Sequence, residues 1–486
     1  MREDMVATGE ASEQRERELK FDVPDSWALP DPHVLAGDGG SVTAGVVELE
    51  STYFDTADRD LLANRLTLRR RTGATDEGWQ LKVPDGDART EIRLPVNGVA
   101  APKELQRLTH GIRRGAPLRS IAVLRTRRNA YVIEDAAGTA LAELVVDEVS
   151  ATLVGRAAAS TWREVEVELK AGDEALLRRV AKWLGKTGAT RSAASSKLAR
   201  ALVDVPERPT YSAKTVQGAV LSYLADQYEV IFAGDLALRR GQDVVHKTRV
   251  ATRRYRSVLR EFGGLFDPER AAALDAELKW YAAALGGARD LQVLRKHLFD
   301  DLDQLPPELV LGPVAAQLNE ALTADDVRAS RKVTTALQSK RYLALLDELH
   351  AWLVTPPLRG GKKPRGQLAR YIDKAERKYA KRLATAELLE DGDPAKNELM
   401  HRARKAAKRA RYTAELSVPA LGRSARKSAK RAKAVQSRLG DRQDAVVSVG
   451  FLRRAGATAG TRPGENGFTY GVLLGLELQR GDVHRL

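Results

Sequence analysis

Two rows of basic residues restrict what this chain can fold into. His246, Arg249, Arg253, Arg256 and Arg260 follow one another at intervals of 3, 4, 3 and 4, and His401, Arg404, Lys408 and Arg411 at 3, 4 and 3. Such spacing places each row on one face of one helix. Stacked cations repel one another and contribute nothing to a core, whereas a long polyanion would neutralise the whole row. Lys279 and Leu285-Gly286-Gly287-Ala288-Arg289-Asp290 follow the first row; Lys433 and Leu439-Gly440-Asp441-Arg442-Gln443-Asp444 follow the second. The histidine-to-leucine interval is 39 residues in one and 38 in the other. Matches kept in order at a nearly constant offset mean two copies of one helical unit. A solvated face, the ordinary reading of a single basic stripe, has no reason to hold such register.

The remaining composition says where this unit lies. A chain of 486 residues predicts two or three domains. Residues 1–205 carry 30 Lys+Arg against 32 Asp+Glu, and the remainder 50 against 33. The polyanion binder is therefore the C-terminal part. Aromatic residues make up 5% of the chain and few interleave with the stripes, which argues against stacking on single-stranded bases. With no cysteine, disulfides and thiolate metal sites are excluded. The N-terminus is acidic without an apolar core, and no run approaches the roughly 20 apolar residues of a membrane span. A cytoplasmic protein is expected, and the Arg- and Ala-rich usage points to a bacterial source.

Residues 1–14 are expected to be disordered. From 16 to 170 the pattern is strand-like, with period-two alternation in ERELKFDV, VVELESTYFD, RLTLRRRT, WQLKVP, TEIRLPV, ALAELVVDEV and WREVEVELK. Helical stretches are expected near 102–113, 173–186 and 193–203, and a linker at 203–212. From 213 onward nearly all is helix, broken at Pro306-Pro307 and Pro356-Pro357. Residues 355–366 should separate the repeats, about 213–354 and 367–486, and 455–467 should form a loop before a last helix. Two repeats of about four helices predict two packed four-helix bundles.

Alternation sorts the strand residues by face. Glu16, Glu18 and Lys20 share one; Arg69 and Arg71 lie opposite Leu66 and Leu68; Lys82 lies opposite Leu81 and Val83. Arg89, Glu91 and Arg93 oppose Ile92 and Leu94, and Glu164, Glu166 and Glu168 oppose Val165, Val167 and Leu169. A sheet with one wet face would mix its signs, yet here acids and bases are largely segregated by strand. The alternative is a closed barrel with a charged lumen and an apolar outside covered by helices. Carboxylates facing arginines suit divalent cations on one wall and phosphates on the other.

These residues resemble a known family. Glu16-Arg17-Glu18-Leu19-Lys20 resembles the ExExK signature of CYTH domains, or triphosphate tunnel metalloenzymes, and YFDT (53–56), LRRR (68–71), LKVP (81–84), LRTR (124–127), ELVVD (143–147), EVEVE (164–168) and SKLAR (196–200) follow in the family's order. HKTRVATRRYRSVLREF (246–262), LGGARDLQVL (285–294), HRARKAAKRARYTAEL (401–416) and LGDRQDAVV (439–447) resemble the CHAD domain. In the second stripe Glu415 stands where the first has Arg260.

The resemblance implies an α+β chain: an antiparallel eight-stranded tunnel at 15–205 and an all-helical domain of two bundles at 206–486. It implies hydrolysis of triphosphate-bearing substrates with Mg²⁺ or Mn²⁺. The metal would be held by Glu16, Glu18, Glu143, Asp147, Glu164, Glu166 and Glu168, with Glu16, Glu18 and Lys20 catalytic. Lys20, Arg69, Arg71, Lys82, Arg93, Arg125, Arg127 and Lys197 would hold phosphates. The stripe residues with Lys279 and Lys433 would bind inorganic polyphosphate, placing the protein at polyphosphate granules. The alternatives are a non-catalytic polyphosphate-binding protein, an adenylyl cyclase, and a helical half that binds nucleic acid.

Overall fold

The structure, a computed structural model, describes residues 12–73, 77–86, 88–96, 98–156, 159–202, 208–390, 393–461 and 466–480, with the backbone alone at 289, 394 and 440–446. The chain divides into two compact units, Met1–Arg208 and Pro209–Leu486.

Alternating segments become ten strands in the first unit: β1 (Ser12–Glu16), β2 (Glu18–Val23), β3 (Ser41–Asp55), β4 (Thr67–Thr72), β5 (Gly78–Asp85), β6 (Ala88–Leu94), β7 (Arg119–Glu134), β8 (Ala140–Leu153), β9 (Ala159–Leu169) and β10 (Thr190–Arg191). Their order is β1-β6-β5-β4-β3-β7-β8-β9-β2-β10, antiparallel throughout. Four short helices accompany them: α1 (Asp60–Ala63), α2 (Lys103–Leu108), α3 (Glu174–Lys186) and α4 (Lys197–Ala201).

Two expectations change. Among the described residues there are ten strands rather than eight, and the hydrogen-bond ladder does not close on itself. β1 and β2 are one run interrupted at Arg17: Glu16 pairs with Arg89 of β6, and Glu18 with Glu168 of β9. The chain itself therefore joins β1, at one border of the sheet, to β2, which only the two-residue β10 separates from the other border. Alternation alone does not distinguish a strand that changes partner midway from one that keeps it. Ser12–Gln14, expected to be disordered, open β1, while 1–11 lie outside the described residues. Part of the expected linker, 203–207, does so too.

The parity expected for the lumen holds. Phe21 and Val23 of β2, Leu144 and Val146 of β8, and Val165 and Val167 of β9 form one buried cluster with Leu176, Leu177, Val180 and Leu184 of α3. This helix thus covers the apolar side of three strands and leaves their Glu, Asp and Lys residues on the other.

The second unit is built from α5 (Val216–Arg239), α6 (Val245–Glu261), α7 (Pro268–Ala284), α8 (Gly286–Leu302), α9 (Val314–Gln338), α10 (Lys340–Val354), α11 (Leu368–Glu387), α12 (Pro394–Leu421), α13 (Arg423–Ala459) and α14 (Phe468–Arg480). Among the described residues the first repeat has six helices rather than four, and the second has four. Part of the excess is a broken helix. α7 and α8 meet at Leu285, the residue that matches Leu439 within the continuous α13. Counted as one, they leave α10 as the extra element. The expected loop at 455–467 is shorter, because α13 runs to Ala459; 462–465 lie outside the described residues. Among the described residues no helix is long and apolar enough to cross a membrane.

Candidate functional site

The strands enclose a cavity of about 300 Å³, at the small end of ligand pockets. Glu16, Glu18, Lys20, Arg69, Arg71, Lys82, Arg93, Glu143, Glu166, Glu168 and Lys197 line it. Asp147 and Glu164 reach it through Lys197, whose ammonium lies 2.9 Å from Asp147, 2.7 Å from Glu164 and 2.9 Å from Glu166. Lys197 is the first residue of α4, where the Ser196 side chain caps the helix on Ala199 N. That cap fixes the side at which the lysine enters.

Arg125 and Arg127, expected at the phosphates, do not line the cavity. Arg125 pairs with Glu50 and Arg127 with Glu48 and Glu148, all with well-exposed side chains. The inward residue is Arg128, which grips Asp147 through two hydrogen bonds of 2.9 and 2.7 Å. Parity decides the difference: Leu124, Thr126, Arg128 and Ala130 share a face of β7, and Arg125 and Arg127 take the other. Counting by twos from Leu124 would have found Arg128. Arg89, Glu91 and Lys170 also line the cavity. Glu91 was legible from its alternation with Arg89 and Arg93, and Lys170, one residue past the end of β9, continues the alternation of Glu164, Glu166 and Glu168.

Opposite charges pair across the lumen. Glu16, 3% exposed, takes Lys82 at 2.5 Å and Arg93 at 3.5 Å, and Glu91 takes Lys82 at 3.1 Å and Arg93 through Nε. Lys20 bridges Glu18 and Glu166. Burial opposes ionisation of Glu166, but Lys197, Lys20 and Arg128 hold its carboxyl well below the usual range. Burial likewise opposes ionisation of Glu18, which Lys20 and Lys82 nonetheless hold low. Glu168 goes the other way: burial raises it, Lys170 only partly countering.

Glu91 gives the pairing a pH signature. Burial works against its charge, yet Lys82, Arg69 and Arg93 bring it down to about 2 from the ordinary 4.5. A carboxyl depressed by folding contributes stability that is complete above about 4.5 and is lost as pH falls through 2. Glu91→Gln should therefore lower the melting temperature at neutral pH, at a cost of up to roughly 3 kcal/mol. The gap from wild type should narrow as the pH is lowered from 4.5 toward 2. Melting curves that keep a constant gap across that range would show that the charge stabilises nothing.

The carboxylates suit a hard cation. Ligand oxygens of Asp147, Glu164 and Glu166 lie within 4.8 Å of one another. Among the described residues Glu91 Oε2 and Glu164 Oε1 are buried without a well-directed hydrogen bond and face only the positive groups beside them, Lys82 at 3.1 Å and Lys197 at 2.7 Å. An all-oxygen donor set fits Mg²⁺ or Mn²⁺.

In the helical unit both stripes lie on helices that touch. From α6, Arg253 donates to Tyr412 Oη of α12 at 3.1 Å, and Arg254 pairs with Glu415 at 3.0 Å. Arg411 reaches the same Glu415 at 2.6 Å. Three guanidiniums, of Arg253, Arg254 and Arg411, stand 5.5–5.9 Å from the Tyr412 ring. Asp275 of α7 holds Arg256 and Arg260, and Asp290 holds Arg249 at 2.8 Å. The acid of the Leu-Gly-x-x-x-Asp element thus steadies the stripe, a role spacing alone did not suggest. The matching Asp444 side chain lies outside the described residues. His246, Lys279 and Lys433 are exposed, and His401, Arg404 and Lys408 half-buried.

The chain matches the CYTH domain over residues 14–202 and the CHAD domain over 222–453. It is 37% identical over 483 residues to proteins from two strains of Mycobacterium tuberculosis, both named only as uncharacterized, covering 94% of this chain and 92% of theirs. Among solved structures it resembles the CHAD domain of the plant Ricinus communis (27% identity, TM-score 0.46, 58% of this chain and 96% of that one). It also resembles PptA from Streptomyces chartreusis (21% identity, TM-score 0.46, 55% of this chain and 95% of that one).

Proposed function

The chain belongs to the family that joins an N-terminal CYTH domain to a C-terminal CHAD domain, and from this we propose a divalent-metal-dependent triphosphatase whose helical unit binds inorganic polyphosphate. One observation carries the reading: nine Lys and Arg and six Glu line a cavity of about 300 Å³. Packing so many charges into one small space is costly unless ligands of both signs enter.

Lys20, Arg69, Arg71, Lys82, Arg89, Arg93, Arg128 and Lys197 would bind the phosphates, the arginines in forked pairs of hydrogen bonds. Glu16, Glu18, Glu143, Asp147, Glu164, Glu166 and Glu168 would hold Mg²⁺ or Mn²⁺, which supplies charge neutralisation and activates water. The contacts seen between acids and bases are then exchanged for contacts to ligand. Phosphoryl transfer depends on positioning and electrostatics, so no nucleophilic side chain is required. The tunnel walls keep the chain extended between the basic residues and limit bulk water.

The test is phosphate release from tripolyphosphate, ATP, thiamine triphosphate and long-chain polyphosphate, with Mg²⁺, with Mn²⁺ and with chelator. Tripolyphosphate should be hydrolysed, and chelator should stop it. Release that persists after complete removal of divalent ions would reject the metal-dependent reading, and no release from any of the four would favour a binding protein.

A further inference from the structure

One cluster in the helical unit takes no part in either site. His297 and Asp301 stand one turn apart on α8, and Glu477 meets them from α14. His297 Nε2 lies 2.9 Å from Glu477 Oε1 and 3.9 Å from Asp301 Oδ2, and the ligand atoms of the three fall within 4.8 Å of one another. Asp301 and Glu477 are 3% and 0% exposed, beside the apolar cluster of Leu294, Leu298, Leu302, Tyr470 and Leu473. Two carboxylates at that depth repel each other and lose their water. The Arg480 guanidinium touches both, but its side chain is 41% exposed. Glu477 Oε2 stays buried with no hydrogen-bond partner among the described residues. Glu477 also lies within hydrogen-bonding reach of Asp301, so the two carboxyls meet over one position that either a proton or a cation would fill.

We propose that His297, Asp301 and Glu477 form a transition-metal site, best suited to Zn²⁺, that fastens α14 to α8. One imidazole nitrogen and two carboxylate oxygens match zinc, which mixes such donors, better than Mg²⁺ or Ca²⁺, which take oxygen. A fourth position is left for water. The imidazole is partly exposed, so its other nitrogen can bond to solvent and hold the tautomer that presents Nε2. Arg480, three residues beyond Glu477 on α14, can turn to solvent as the ion enters. Unlike the tunnel, which offers oxygens alone, this site has a nitrogen donor, and that separates the two in an experiment.

The full-length chain, stripped with chelator, is titrated with Co²⁺ as a visible stand-in for Zn²⁺. A four-coordinate site with an imidazole gives a strong visible band, whereas six-coordinate oxygen sites give a weak one. One equivalent should raise the strong band, and Zn²⁺ should displace it. His297→Ala and Glu477→Gln should each lose it. Arg480→Ala should keep it, as should Glu16→Gln, which alters only the tunnel. Zn²⁺ should raise the melting temperature of wild type and not of His297→Ala, whose helical circular dichroism confirms that it folds. A strong band that survives in His297→Ala, or stripped wild type that develops none, would overturn the site whatever the tunnel binds.

Discussion

Glu16→Gln and Glu18→Gln should each lower tripolyphosphate turnover by roughly a hundredfold to a thousandfold, the usual effect of deleting one preorganised electrostatic contact. The shape of each side chain is kept and only its charge is lost. Folding should suffer far less. When Glu16 is neutralised, Lys82 keeps Glu91 at 3.1 Å, and when Glu18 is neutralised, Lys20 keeps Glu166. The upper bound of the loss in each case is one hydrogen bond to a charged group, about 1.5–3 kcal/mol, which the retained pair partly offsets. The two quantities are read separately, by initial rates at saturating Mg²⁺ and by thermal melting. Full turnover in both variants would sink the assignment of these residues to the metal.

A comparable effect is expected in the helical unit, where chain length is the variable. The two basic rows lie on helices that touch at Arg253, Tyr412 and Arg411. One long polyphosphate would then bridge both rows, the second engaging at high effective concentration. Arg253→Ala/Arg256→Ala and Lys408→Ala/Arg411→Ala should each weaken long-chain polyphosphate by about a hundredfold. Tripolyphosphate, too short to bridge, should respond only to loss of the row on which it sits. The salt dependence of long-chain affinity should flatten by about one unit of slope per phosphate contact removed. Calorimetric titration that finds two long chains per protein and no dependence on length would reject a shared groove. Equal affinity for duplex DNA at the same salt would move the reading toward nucleic acid.

Much of this was legible in the residues, and the failures have identifiable causes. Period-two alternation placed Glu16, Glu18, Lys20, Arg69, Arg71, Lys82 and Arg93 on the lumen face because it depends on backbone pleat alone. Arg125 and Arg127 came from the family resemblance instead; charged residues there occupy consecutive positions, and only the face fixed by Leu124 and Thr126 reveals that Arg128 points inward. The pairing order was beyond reach, since β1 and β2 read as a single strand until their two partners are known. In the helical half the basic rows were plain, but their clamps were not. Asp275 holds Arg256 and Arg260 from another helix, as Tyr412 and Glu415 hold Arg253 and Arg254; only Arg411 and Glu415, four residues apart on α12, stand at a legible interval.

The interruption at Arg17 bears on the order in which the first unit is assembled. The run from Ser12 to Val23 is synthesised before all its partners, for its two halves hydrogen-bond to residues 89–93 and 163–168, and Thr190 and Arg191 add to its outer side. Glu16 lies 73 positions from its partner Arg89, and Glu18, only two residues later, 150 from Glu168. Contacts so distant in sequence form slowly, and until then the borders of the sheet stay open to wrong partners. Locking the seam is therefore a late event of biosynthesis, and the tunnel exists only once the last strand of its unit has been translated.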